Sequence, residues 1–524
     1  MHSPPRDALN AVYLIFLLQG IGTLFPWNVF VNAEDYFVDR LCGSDYDTIV
    51  EDAISLCYNF ARVIGMMLSL RYMDAVGTSW TILVSLTILV GVMVISCLMV
   101  LWDNLSATFL FTLAMVLVVI AGVFNAISQG ALYAMASVFP PSYTQGLLAG
   151  QSMSGLAVSL AAMFTELSSG DFNDSCPDES GVMSSSGVVS SVQSLVGDVQ
   201  SVSSSASSFS SSSGCTAYTT DYNTLGYFAT GVVVMALCLV TYPVLERLPL
   251  TRFYTKLEEA DAKVGKAPGG DHPVGGGNGN GRGHARLTHG HSEEDRGSPA
   301  AVHGSPSSRG QTYDLSSSLL PGAEMGTGEE GNAVACSTDS TEFLTDGFWP
   351  RFKPIAGHAF SVFFVFVVSL AFYPGVTSLI VSENACRPGH AVFFSNDVFT
   401  LFSFISYNAF DFLGRLSPGV LVRPIPNSWL PYAAVARFLF LPLILGCHYE
   451  QSRFPTYLPS DVFPLVIIPL FAFTNGYLAS LSMVAGGEHG PWAASVMTLF
   501  LMAGSCVGSM LSFLVLWGVK GYLG

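Results

Sequence analysis

The stretch Ala391–Val422, AVFFSNDVFTLFSFISYNAFDFLGRLSPGVLV, decides how this chain is read. It is long enough to cross a bilayer, whose hydrocarbon core of about 30 Å needs roughly 20 apolar residues of helix. Yet its middle carries an acid, Asp411, and a base, Arg415. With 3.6 residues per turn, Phe404, Asn408, Asp411 and Arg415 fall within roughly 60° of one another and share one stripe. That stripe cannot face lipid, because an ionised side chain near the bilayer centre costs on the order of 3 kcal/mol. Pairing Asp411 with Arg415 at i, i+4 offsets part of the penalty. The stripe is either a latch to a neighbouring helix or a handle for a polar cargo. A carboxylate accepts hydrogen bonds and a guanidinium donates them, so the couple matches vicinal hydroxyls, and we read it as the handle. Gly414, beside Arg415, is read as leaving room for the ligand.

The composition places this segment among others like it. Half of the 524 residues are hydrophobic, 11% are charged and the mean hydropathy is +0.49, whereas soluble domains carry about 25% charged residues. Eleven apolar segments are long enough to span: near 10–31, 51–71, 80–102, 107–136, 145–165, 224–244, 356–380, 393–420, 429–447, 462–484 and 491–517. The first is too long for a cleaved leader and contains Pro26 and Trp27, so it is expected to remain as a helix. The expected fold is an all-α integral membrane protein. Its eleven helices form a 6+5 two-lobe, major-facilitator-like arrangement around a midplane cavity.

Basic residues set the orientation. Arg247, Arg252, Arg351 and Lys353 flank the long loop between the sixth and seventh helices, and Arg6, Arg71 and Arg423 fall on the same side. That side is expected to be cytoplasmic, with the N-terminus cytoplasmic and the C-terminus extracellular. The net charge of −17 comes from loops, including an acidic rim from Glu34 to Asp52.

Two low-complexity loops divide the chain. Residues 168–220 are serine-rich, carry the sequon at Asn173 and are expected outside, where Cys42, Cys176, Cys215 and Cys386 can pair. Cys57, Cys97, Cys238, Cys447 and Cys506 read as buried thiols. Residues 245–350 are expected to form a disordered cytoplasmic linker. Its His284, His289 and His291 lie in a glycine-rich tract and are assigned no metal. The domains are therefore 1–9, an N-terminal lobe over 10–244, the linker over 245–350, and a C-terminal lobe over 351–524. Small residues repeat every four positions at Gly146, Gly150 and Ser154, and again at Gly504, Gly508 and Ser512, a spacing that lets helices pack closely.

Other apolar segments carry polar residues. Pro26 interrupts the backbone ladder of the first, placing Trp27 either as an interfacial anchor or as a wall on which a ring stacks. Gln129 has donors and an acceptor for a heterocycle edge or for a neighbouring helix. Asn475 and Gly476 are a polar contact or a kink. Arg62 has no sequence neighbour to pair with, and Asp411 and Glu166 are its candidate partners.

With these residues assembled, the chain resembles the equilibrative nucleoside transporter family. The resemblance rests on GIGTLFPWNVFVNAEDYF, QGALYAMASVFPPSYTQGLLAGQSMSG, FYPGVTS, YNAFDFLGR, RFLFLPLIL and FAFTNGYLAS, which recur in order over the membrane portion. It implies eleven helices and facilitated diffusion of nucleosides, sometimes nucleobases. It also implies that Asp411 and Arg415 meet the ribose hydroxyls, that Gln129 reaches the base, and that Leu24, Trp27, Phe404 and Asn408 line the pocket with Ser505. The second helix departs from the family pattern at Asn59 and Arg62. The expected cargo is a nucleoside of the uridine or adenosine type, carried by a monomer in the lipid bilayer of the plasma membrane, with no cofactor, no metal and no nucleic acid. Proton-coupled symport is the alternative, and a non-transporting receptor a more distant one. Motifs of metalloprotease, serine-hydrolase or phosphate-loop enzymes are missing from the sequence.

Overall fold

A computed structural model describes residues 4–44, 46, 50–102, 105–169, 222–265, 347–385, 391–420, 425–449 and 455–520. In hydrocarbon every backbone group must be satisfied internally, which leaves helix as the default for each apolar run. The helices are α1 (Ala11–Asn32), α2 (Glu34–Arg40), α3 (Val50–Val76), α4 (Thr78–Val100), α5 (Ala107–Ala136) and α6 (Pro141–Ser169). There follow α7 (Tyr222–Arg247), α8 (Pro249–Gly265), α9 (Phe348–Phe352), α10 (Ala356–Phe372) and α11 (Asn396–Val420). The last are α12 (Leu430–Ala436), α13 (Phe440–Leu445), α14 (Val462–Gly487) and α15 (Pro491–Lys520).

Ten of the described helical segments are long and apolar enough to cross a membrane. They correspond to the expected segments except the eighth. That segment, α11, is a 25-residue helix, but Asp411 and Arg415 make it too polar to stand among the ten. The ninth segment is broken: α12 and α13 are separated by a 3-10 turn at Arg437–Leu439. α1 runs through Pro26 as a single helix.

Helix pairing repeats between the two halves of the chain. α1 packs on α6 and α3 on α5, while α10 packs on α15 and α11 on α14. Across the halves, α6 meets α11, and α15 meets α3 and α5. Glycines set the closest of these approaches. A Cβ on Gly20 would run into the Leu147 carbonyl, and one on Gly150 into the Leu17 carbonyl, so α1 and α6 touch backbone to backbone. Gly414 and Gly476 do the same for α11 and α14. The space beside Gly414 is therefore filled by the Phe473 carbonyl, and the expectation that it leaves room for a ligand is corrected. The small-residue repeats pack as expected, with Gly504 and Gly508 against α10.

Residues Met1–Gly265 and Glu342–Gly524 form one compact unit. Within the stretch expected to lack structure, α8 is helical, because Leu250, Phe253 and Tyr254 recur at helical spacing. Leu250 is buried and the Tyr254 ring lies 5.2 Å from that of Phe139. The remainder of that stretch to residue 346 lies outside the described residues, with its histidines, as does the serine-rich loop with Asn173, Cys176 and Cys215. Cys42 is disulfide-bonded, and the five cysteines read as buried thiols are free.

Candidate functional site

The polar stripe of α11 turns inward onto a cavity of about 240 Å³, where room for a single water takes only about 10–15 Å³. Residues of α1, α3, α5, α6, α10, α11, α14 and α15 line it. All of the residues singled out in the sequence are among them: Leu24, Trp27, Gln129, Phe404, Asn408, Asp411, Arg415 and Ser505.

The ion pair stands in the cavity wall. Arg415 Nε donates to Asp411 Oδ2 at 2.9 Å, and both residues are 4% exposed. The same carboxylate oxygen accepts from Ser152 Oγ of α6 at 2.5 Å, while Oδ1 accepts from Asn475 Nδ2 of α14 at 2.7 Å. Arg415 Nη1 reaches back to α6, donating to the Leu148 carbonyl at 3.0 Å and to Gln151 Oε1 at 3.1 Å. Latch and cavity wall are thus combined in one couple, since both side chains line the cavity and both bind the opposite half.

Behind it lies a second buried guanidinium that the sequence reading passed over. Arg437, at the break between α12 and α13, donates to the carbonyls of Val365 at 2.8 Å and Phe471 at 3.0 Å, and to Ser369 Oγ at 2.8 Å. Its charge lies 4.6 Å from the centre of the Phe471 ring. Ser369 Oγ in turn donates to Asn475 Oδ1 at 2.6 Å, so the network runs from Arg437 through Asn475 to Asp411. The signal was present as a charge in the ninth apolar segment, but its partners lie on α10 and α14.

The rest of the cavity wall is aromatic and amide-rich. The Trp27 ring lies 4.8 Å from that of Tyr58, with the planes 33° apart, which favours the stacking-wall reading over an interfacial anchor. Asn125 Nδ2 fixes Tyr58 through its hydroxyl at 2.8 Å. Gln129 is fully buried, and its Oε1 accepts from Arg62 Nη2 at 3.1 Å. That bond gives Arg62 a partner that was not expected; of the two expected carboxylates, Asp411 pairs with Arg415 and the Glu166 side chain lies outside what is described. Along the wall Tyr373 and Tyr407 stack with centroids 3.5 Å apart, and Phe404 meets Tyr373 edge-on at 5.7 Å. Asn408 Nδ2 donates to Ser159 Oγ at 3.1 Å and to the Tyr373 hydroxyl at 3.2 Å. Ser505 donates to the Leu501 carbonyl at 3.0 Å, which leaves its oxygen lone pairs for the cavity. Among the described residues no group of His, Cys, Asp and Glu is placed to hold a metal ion.

Chemically the cavity wall combines a carboxylate and a guanidinium, which can accept from and donate to hydroxyl groups, with aromatic rings and side-chain amides. A family profile described as "Nucleoside transporter" matches residues 114–177 and 183–517. Equilibrative nucleoside transporter 1 of Homo sapiens is 27% identical, over 97% of this chain and 98% of its own length. Equilibrative nucleoside transporter 2 of Homo sapiens is 26% identical, again over 97% of this chain and 98% of its own. Among solved structures, the major facilitator superfamily proton:xylose symporter XylE covers 97% of this chain and 87% of its own, at 11% identity and a TM-score of 0.48. That last likeness carries no argument about cargo.

Proposed function

The chain belongs to the nucleoside transporter family, and we propose that it is a facilitative carrier, passing uncharged nucleosides across a membrane by alternating access. The observation that carries the reading is the cavity itself, whose wall brings together Asp411, Arg415, the Trp27 ring and Gln129. A ribose with vicinal hydroxyls complements the ion pair, and a planar base complements the ring and the amide.

Entering the cavity strips water from the ribose, and each unpaired hydroxyl would then cost about 2–7 kcal/mol in an apolar medium. The Asp411 carboxylate accepts from one hydroxyl and the Arg415 guanidinium donates to its neighbour, so the lost hydration is replaced at a fixed geometry. Those bonds compete with the ones that Asp411 and Arg415 make to Ser152, Gln151 and the Leu148 carbonyl of α6. Cargo binding therefore loosens the crossing between α6 and α11, where a lobe over 10–244 meets a lobe over 351–524. Rocking of these lobes, which together contribute eleven spanning helices, exposes the cavity to each side in turn. A neutral cargo crosses without electrical work, so no coupling ion is needed. Uridine- or adenosine-type nucleosides are the cargo, the carrier works as a monomer, and its site is the plasma membrane with the N-terminus inside. The relatives it resembles are named as transporters, and we assign it no enzymatic activity.

Flux into proteoliposomes tests this. Purified protein is expected to equilibrate radiolabelled uridine or adenosine across the vesicle wall, without accumulation above the outside concentration and without response to a proton ionophore. Binding without flux would make it a receptor, and ionophore-sensitive accumulation would make it a symporter.

A further inference from the structure

Two buried guanidiniums of this protein are held very differently. Arg437 has every nitrogen committed, Nε to Thr474 Oγ1 and the other two to carbonyls and side chains of α10 and α14. Arg62, in the middle of α3 and 7% exposed, does not. Its Nη2 donates to Gln129 Oε1 at 3.1 Å, but its Nη1 has no acceptor among the described residues and retains accessible surface. Arg62 lines the central cavity, so that free end is available to a ligand there. Its charge is uncompensated as well. Of the residues lining the cavity, two guanidiniums, Arg62 and Arg415, stand against one carboxylate, Asp411, which Arg415 already pairs. The ionisable groups that act on Arg62 are Tyr58, Cys506 and Tyr133, none of them a carboxylate. The wall therefore carries an excess positive charge at a depth where an unbalanced charge is costly and marks a functional group by default.

Resting on the nucleoside-carrier reading and going beyond its uncharged cargo, we infer that Arg62 forms an anion subsite, so that the cavity holds a nucleoside bearing a negative charge more tightly than a neutral one. A charge-assisted hydrogen bond from Nη1 supplies the missing acceptor, and the ligand's charge balances the wall. Burial has already stripped Arg62 of most of its water, so the ligand's own hydration is what opposes the pairing. The surroundings are polar too. Where α15 crosses α3, Ser509 and Asn59 line the same cavity, about one turn along their helices from Cys506 and Arg62. They add a hydroxyl and an amide beside the guanidinium. The charge belongs on the base rather than on the sugar. The Arg62 guanidinium carbon lies 5.9 Å from the centre of the Tyr58 ring, and that ring lies 4.8 Å from Trp27, the side chain assigned to the base. Asp411 and Arg415 remain with the ribose.

The test is competition against radiolabelled uridine uptake in proteoliposomes by xanthosine, whose base is an anion at neutral pH and uncharged in mild acid, and by inosine, which is uncharged in both. At neutral pH xanthosine is expected to compete about tenfold better than inosine, and in mild acid that advantage is expected to vanish. The quantity read is the ratio of the two on the same vesicles, so a general loss of uptake does not imitate it. Arg62→Leu is expected to abolish the advantage, and Arg62→Lys, which keeps the charge without the planar fork, to retain part of it. Uridine monophosphate against unlabelled uridine is the second arm: an advantage there in place of xanthosine's keeps the subsite and moves the charge to the sugar. No advantage for either anion in the wild type overturns the inference without any variant. An unchanged advantage in Arg62→Leu overturns it as well. Wild-type vesicles that take up no uridine would instead overturn the carrier reading on which it stands.

Discussion

Ser152 donates its hydroxyl hydrogen to Asp411 across 259 positions of sequence, at 2.5 Å, and so ties α6 to α11 at the wall of the cavity. The carboxylate that receives it is also the partner of Arg415. One charged couple therefore closes a crossing between the two halves of the chain and faces the space where a cargo would sit. Its two roles predict different consequences for stability and for transport.

Asp411→Ala or Arg415→Ala leaves the other charge buried and unpaired, a change that costs about 3–5 kcal/mol. Either variant is expected to melt well below the wild type and to abolish nucleoside uptake. Removing both, as Asp411→Leu with Arg415→Met, is expected to restore most of the thermal stability while uptake stays abolished. Melting in detergent and vesicle uptake, measured on the same preparations, separate the roles. Uptake near wild type in the double variant would reduce the couple to a scaffold.

Trp27 is expected to act through the base. Stacking on an aromatic side chain is worth about 1–3 kcal/mol per base, so Trp27→Ala should raise KM for nucleosides by roughly fivefold to a hundredfold. Trp27→Phe keeps a ring face and should recover most of the loss. An unaltered KM in the alanine variant would take Trp27 out of the site.

The seam between α11 and α14 depends on missing side chains. A Cβ at Gly414 or Gly476 would strike the backbone of the facing helix. Either alanine substitution is expected to cost about 1–3 kcal/mol of stability, and the pair to combine non-additively because the residues are neighbours. Gly91 in α4 has nothing within 4 Å of an added Cβ. Gly91→Ala is therefore the control, expected to be neutral or to stabilise by about 0.5–1 kcal/mol. Thermal melting of the variants side by side checks both halves of the prediction.

Arg437 holds carbonyls of α10 and α14 with a planar fork. Lysine places a single point of charge there and cannot span both. Arg437→Lys is expected to lower the melting temperature and, because Asn475 links Arg437 to Asp411, to weaken uridine uptake too. A variant with lowered stability but normal KM would show that the network supports the fold without steering the site.

Much of this was legible in the chain. The apolar runs predicted the helices, and the family motifs pointed to residues that do line one cavity; the polar ones among them stood out because an apolar segment has little other use for polarity. Arg437 was missed although it sits as openly in the sequence as Arg415, because it has no acidic neighbour one turn away to draw attention. Residues 249–265 were read as part of a featureless linker, since a short amphipathic helix weighs little against the glycine-rich tract that follows it.

By itself the sequence determined that these segments are helices and that the stripe of α11 must turn from lipid, since hydrocarbon satisfies neither backbone amides nor charges. Tertiary structure alone decided who meets whom: that Arg62 holds Gln129, 67 positions away, that a backbone carbonyl fills the space at Gly414, and that Ser152 reaches Asp411. The reason is geometric. Helical periodicity is local and fixes which face a side chain takes, whereas its partner depends on where another helix crosses, and that is set by the packing of the whole bundle.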